Sequence, residues 1–84
     1  MEEHTGVKAG DHVRKQIVAW AAELLEEPQA SETDNFFDLG GHSVLALTLI
    51  GQVKERYGVE VDIRALFEQN LGEMAADVAR QTTK

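Results

Sequence analysis

Ser43 stands in the run GGHSVLAL, residues 40–47, behind two glycines and a histidine and ahead of apolar residues. Its hydroxyl has three chemical readings. As a nucleophile it would belong to an elbow of the form G-x-S-x-G, but in GHSVL the second glycine is replaced by Leu45. That elbow also needs a preceding strand, a sheet and a distant acid and histidine, which a short helical chain does not offer. His42 adjoins Ser43, yet adjacency along the chain does not give base-to-hydroxyl geometry. As an N-cap, Ser43 would satisfy a free N–H at a helix start, although Ala46 occupies the position of the capping-box acid. As the bearer of a phosphate, it would sit where backbone N–H groups and the helix dipole favour negative charge. Gly40 and Gly41 carry no side chains to crowd the hydroxyl.

Other chemistries find little support. The chain has no cysteine, so it supplies no disulfide, thiolate metal site or thiol nucleophile. His4, His12 and His42 are too scattered to suggest a metal site. Eight basic against 15 acidic residues give a net charge of −7. Binding to a phosphate backbone needs clustered Lys and Arg, so neither nucleic acid nor an anionic membrane is an expected partner, whereas partners with basic docking surfaces are. The longest apolar runs are too short to span a bilayer. MEEHTGVKAG lacks a basic region followed by an apolar core, as a signal peptide would have. These features predict a soluble, cytoplasmic, monomeric domain. With 84 residues, it buries roughly 60–65% of its unfolded surface. The core is therefore thin, and a deep walled pocket is not expected.

The elements that position Ser43 follow from apolar spacing. Residues 1–10 have no period and predict a flexible tail. Val13, Ile17, Trp20, Ala21 and Leu24 recur at helical spacing, with Asp11 as N-cap and a stop by about Glu27, since Pro28 disfavours helix before it. Residues 28–42 predict a long loop, with at least one of Phe36 and Phe37 anchored in the core. A second helix runs from about Ser43 to Tyr57, with Gly58 placed as a C-terminal glycine. After it, Val59 and Val61 read as an extended lead-in to a short helical turn capped by Asp62 and burying Ile63, Leu66 and Phe67. The last helix begins after Asn70, with Glu73 spaced as in a capping box and an apolar stripe of Leu71, Met74, Ala75 and Val78. The closing QTTK is expected to fray. One domain over 11–81 results, with frayed residues at 82–84 and no internal repeat.

At about 100° per residue, Leu45, Ala46, Leu49, Ile50, Val53 and Tyr57 fall on the core side of the second helix. Val44, Leu47, Thr48, Gly51 and Glu55 fall opposite. Val44 and Leu47 are thus apolar residues on the side that should meet water, one and four positions past Ser43. Single exposed apolar residues are common, but this pair beside a serine is a candidate docking stripe.

The block DNFFDLGGHSVLALTLIGQVKERYGVEVDIRALFE resembles a carrier-protein domain, specifically the peptidyl carrier (thiolation) type of nonribosomal peptide synthetases. The shared core is D-x-F-F-x-L-G-G-H-S followed by an apolar helix, and the likeness extends over about residues 11–80. Histidine before the serine favours the peptidyl type; fatty-acid and polyketide carriers more often have aspartate there. The resemblance implies an all-α fold, a small acyl carrier protein-like bundle of three principal helices and one short one. It implies a 4′-phosphopantetheine arm on Ser43, flanked by Gly40, Gly41 and His42. A magnesium-dependent phosphopantetheinyl transferase would install the arm from coenzyme A. Its thiol would hold an aminoacyl or peptidyl group as a thioester, so the carrier itself catalyses nothing. An adenylation enzyme and condensation, thioesterase or tailoring enzymes are the implied partners. They would meet Val44, Leu47, Thr48 and Gly51, with Phe37 and Leu39 at the rim. Many members place Pro-Thr before the last helix, where this chain has EQNLGEM and Asn70 can supply the cap. The chain ends fit a free-standing carrier and an excised module domain equally. A carrier of polyketide or other acyl chains and an unmodified helical adaptor remain alternatives.

Overall fold

A computed structural model describes residues 4–82, with side chains from residue 10 onward. Four helices follow in order: α1 (His4–Leu25), α2 (Ser43–Tyr57), α3 (Ile63–Glu68) and α4 (Leu71–Thr82). No strand occurs among the described residues. The fold is the expected all-α bundle, in which α1 packs chiefly on α4, α2 leans on α1, and short α3 links α2 to α4.

The expected flexible tail and the cap at Asp11 need correction. The backbone is helical from His4, and residues 1–3 lie outside the described residues. No proline interrupts this segment. Asp11, inside the helix, pairs with Arg14 and Lys15, three and four positions on, which is the spacing at which helical side chains meet. Val13, Ile17 and Ala21 are buried, and Trp20 and Leu24 pack partly buried against them. The helix ends before Pro28, as expected. Glu26 adopts a left-handed φ of 55°, and the Glu27 N–H reaches back to the Ala22 carbonyl at 2.9 Å. This closes the carbonyl end in the manner usually left to glycine.

In α2, Ala46, Leu49 and Val53 are buried, while Leu45, Ile50 and Tyr57 pack partly buried on the core. Gly58 turns left-handed (φ 71°) and donates its N–H to the Lys54 carbonyl at 2.8 Å. The following residues belong to no helix or strand, with Val59 buried and Asp62 extended. Asp62 then caps α3 by accepting from the Arg64 N–H at 2.9 Å. Asn70 and Glu73 form the capping box at α4: the Glu73 N–H donates to Asn70 Oδ1 at 2.7 Å, and the Asn70 N–H donates to Glu73 Oε1 at 2.9 Å. Leu71, Met74, Ala75, Val78 and Ala79 form the buried face of α4. Gln81 and Thr82, expected to fray, continue the helix, and the Thr82 hydroxyl donates to the Ala79 carbonyl at 3.0 Å.

Phe67 is a second correction. The spacing predicts it in the core, yet it is 56% exposed. Leu66 is the buried residue of α3. The next residue is rotated about 100° around so short a helix, which carries Phe67 out of the core.

The long loop contributes the fully buried Phe36 to the core. It is also fastened to α4 through its backbone. The Leu71 N–H donates to the Asp34 carbonyl at 2.9 Å, and the Gly72 N–H to the Glu32 carbonyl at 2.8 Å. These bonds satisfy N–H groups that a helix start otherwise leaves open.

Candidate functional site

Ser43 is the first residue of α2 and is exposed. The capping position belongs to His42, whose backbone is extended (φ −139°, ψ 176°) and whose side chain makes no capping bond. The first intrahelical bond runs from the Ala46 N–H to the His42 carbonyl at 2.9 Å. The reading of Ser43 as N-cap is thereby overturned, because helical geometry begins at Ser43 and shifts the cap back by one residue. Among the described residues, no side-chain bond engages the Ser43 hydroxyl. The exposed Ser43 thus opens a helix whose first-turn N–H groups lack intrahelical acceptors.

The two glycines are also required by the backbone itself. Gly40 has φ +105°, a conformation that side chains rarely adopt. A Cβ on Gly41 would stand 2.5 Å from the Phe36 ring and 2.8 Å from the Phe36 carbonyl oxygen. Gly41 therefore lets the backbone lie against the buried ring.

The turn leading to Ser43 is tightly bonded. Gly41 and Gly40 donate their N–H groups to the Phe36 and Phe37 carbonyls, both at 3.1 Å, and the Leu39 N–H donates to the Asn35 carbonyl at 3.1 Å. Asn35 Oδ1 accepts from the Phe37 N–H at 2.8 Å and the Asp38 N–H at 3.1 Å. On its other side, Asn35 Nδ2 donates to the Phe67 carbonyl at 3.0 Å and the Gln69 carbonyl at 3.1 Å. One amide thus holds the turn to the C-terminal end of α3. The rings of Phe37 and Phe67 stack across the same junction.

Val44 and Leu47 are 66% and 59% exposed. Thr48, Gly51 and Glu55 share their exposed side of α2, as the helical phase predicts. The Thr48 hydroxyl donates back to the Val44 carbonyl at 3.1 Å. Phe37 and Leu39 are partly buried and pack against the core, so each offers only part of its surface. Phe67 is the exposed aromatic that sequence reasoning missed. The signal available was its phase relative to Leu66.

Two carboxyls that follow α2 are held below their ordinary values. The Arg64 backbone N–H, and then the Arg64 side chain, hold the Asp62 carboxyl below its ordinary value. The Lys54 ammonium does the same for Glu60 through a hydrogen bond and its charge. No group of metal-ligating side chains occurs among the described residues. None of their helices is long and apolar enough to cross a membrane.

Residues 15–78 match the model of a family described as "Phosphopantetheine attachment site". The chain is 46% identical over 63 residues to a probable non-canonical nonribosomal peptide synthetase, CymA, of Salinispora arenicola; the match covers 74% of the chain and 1% of that protein. It is 44% identical over 69 residues to malpibaldin synthetase of Mortierella alpina, covering 81% of the chain and 1% of the relative. The chain thus spans about a hundredth of these relatives' length. Among solved structures, it resembles a chain from the complex of the phosphopantetheine transferase Sfp with coenzyme A and a peptidyl carrier protein. The TM-score is 0.75 at 30% identity, with 81% of this chain and 90% of that chain covered.

Proposed function

The chain belongs to the phosphopantetheine attachment-site family, and on that premise we propose that Ser43 bears the 4′-phosphopantetheine arm of a peptidyl carrier domain in nonribosomal peptide assembly. The observation that carries this reading is the exposed Ser43 at the first residue of α2, its hydroxyl without a side-chain partner among the described residues. A phosphodiester at that oxygen fits the site, since the helix start presents open N–H groups and a favourable dipole and His42 adds no competing cap. Once attached, the arm supplies a thiol able to hold an acyl group as a thioester, a group this cysteine-free chain lacks. The names of the relatives favour an aminoacyl or peptidyl cargo over a polyketide chain.

The domain's task is then to present, not to catalyse. A phosphopantetheinyl transferase modifies Ser43 in the cytoplasm, where coenzyme A is at hand. An adenylation enzyme loads the arm, and condensation, thioesterase or tailoring enzymes unload it. Val44 and Leu47 form the centre of the surface these enzymes meet, with Thr48 and Gly51 beside them and Phe37, Leu39 and Phe67 toward α3. Intact mass spectrometry after incubation with coenzyme A, magnesium and a phosphopantetheinyl transferase tests the assignment. The wild type should gain one phosphopantetheinyl group and Ser43→Ala none. An unmodified wild type, or a modified alanine variant, overturns it.

A further inference from the structure

We propose that Asn35 is a positioning residue for the modification of Ser43, setting the serine's placement by locking its turn to α3. This rests on the reading of Ser43 as the attachment site. The Asn35 side chain uses both ends of its amide. Oδ1 receives two N–H groups of its own turn, and Nδ2 reaches two carbonyls of residues 32 and 34 positions away. Those partners also fix the amide's orientation, because two donors face Oδ1 and two acceptors face Nδ2.

From this amide to Ser43 the chain has little slack. The turn is closed by the Leu39, Gly40 and Gly41 bonds. Gly41 lies so close to the buried Phe36 ring that a Cβ would collide with it. His42 then leads directly into α2. A shift of α3 is therefore passed through Asn35 and the Phe37–Phe67 stack to the residue before Ser43. Conversely, a secured α3 holds the hydroxyl in one place while a transferase brings coenzyme A to it. Small misplacements of a reacting atom are costly to rate, so the effect falls on turnover rather than on encounter.

The variant Asn35→Asp separates the two ends of the amide. It keeps an oxygen for the Phe37 and Asp38 N–H groups and turns a carboxylate oxygen against the Phe67 and Gln69 carbonyls. Transfer kinetics from coenzyme A would be compared among wild type, Asn35→Asp, and Val13→Ala as a core control on α1, at a temperature where all three are fully folded by circular dichroism. In Asn35→Asp, kcat should fall about tenfold while KM for the carrier stays within about twofold, and Val13→Ala should match wild type in both. Equal kcat in Asn35→Asp and Val13→Ala overturns the positioning role while leaving the carrier reading intact. Failure to modify wild type overturns the carrier reading itself. If Asn35→Asp does not fold, hydrogen exchange on wild type decides. The Phe37 and Asp38 amides and the Asn35 side-chain amide should be protected together, and exchange at the rate of an open chain overturns the proposal.

Discussion

Phe37 and Phe67 stack with ring centroids 3.9 Å apart and planes within 1° of parallel. One ring comes from the turn ahead of α2 and the other from α3. Phe67 keeps more than half its surface in water, so little of its area is secured by the core. Phe67→Ala should therefore cost about 0.5–1.5 kcal/mol, the worth of an aromatic pair. Phe36→Ala, which empties a fully buried site, should cost about 3–5 kcal/mol. Urea denaturation compares them, and a larger loss for Phe67→Ala would contradict this packing.

Leu47 and Leu49 lie two residues apart on opposite sides of α2, the first 59% exposed and the second fully buried. Leu47→Glu should change stability by no more than about 0.5 kcal/mol. It should slow modification and loading about tenfold or more, because a charge enters an apolar contact without a partner. Leu49→Ala should cost roughly 2–5 kcal/mol through cavity formation and leave rates near normal while folded. Melting curves beside transfer and loading rates check both.

Ser43 and Gly41 should differ in how much stability an alanine costs. With His42 at the cap and the Ser43 hydroxyl outside the capping bond, Ser43→Ala should shift stability by less than about 0.5 kcal/mol. Gly41→Ala drives a methyl into Phe36 and should cost about 1–3 kcal/mol by overpacking. A loss near 1 kcal/mol in Ser43→Ala, typical of a missing cap, would return the capping role to the serine.

The Asp62 carboxyl is held below its ordinary value, first by the Arg64 N–H and then by the Arg64 side chain. A carboxyl whose folded pKa is depressed binds its proton more readily when unfolded. Its stabilising effect is thus present above the unfolded value of about 4 and lost as pH falls through the lower folded value. Asp62→Asn keeps a capping oxygen but has no proton to gain. The stability difference between wild type and Asp62→Asn should therefore shift against wild type as pH drops from 5 toward 2, read from paired thermal melts. A difference independent of pH would remove Asp62 from the acid response.

Much of this arrangement was legible because its signals are local. Gly58, Asp62 and the Asn70–Glu73 pair each fix a helix end through neighbours within four residues. The phase of α2 sorted Val44 and Leu47 from Leu49 and Val53 for the same reason. What depends on distant partners stayed hidden. The two Asn35 bonds to α3 cross more than 30 positions. The need for Gly41 arises only once Phe36 folds under it. The Ser43 cap was misplaced by one residue, since serine suits both the cap and the first turn, and only backbone angles distinguish them.

Residues 26–42 look like the segment a protease would choose, being the longest stretch outside the helices. The bonds made by Glu32, Asp34 and Asn35 suggest otherwise. Cleavage needs backbone that can be drawn away from the body, and susceptibility follows burial and hydrogen bonding rather than lack of helix. Here that requires releasing the first turn of α4 on one side and the end of α3 on the other. The susceptible part shrinks to the few exposed residues around Pro28, so a single nick there would leave the Ser43 turn, α2, α3 and α4 on one fragment.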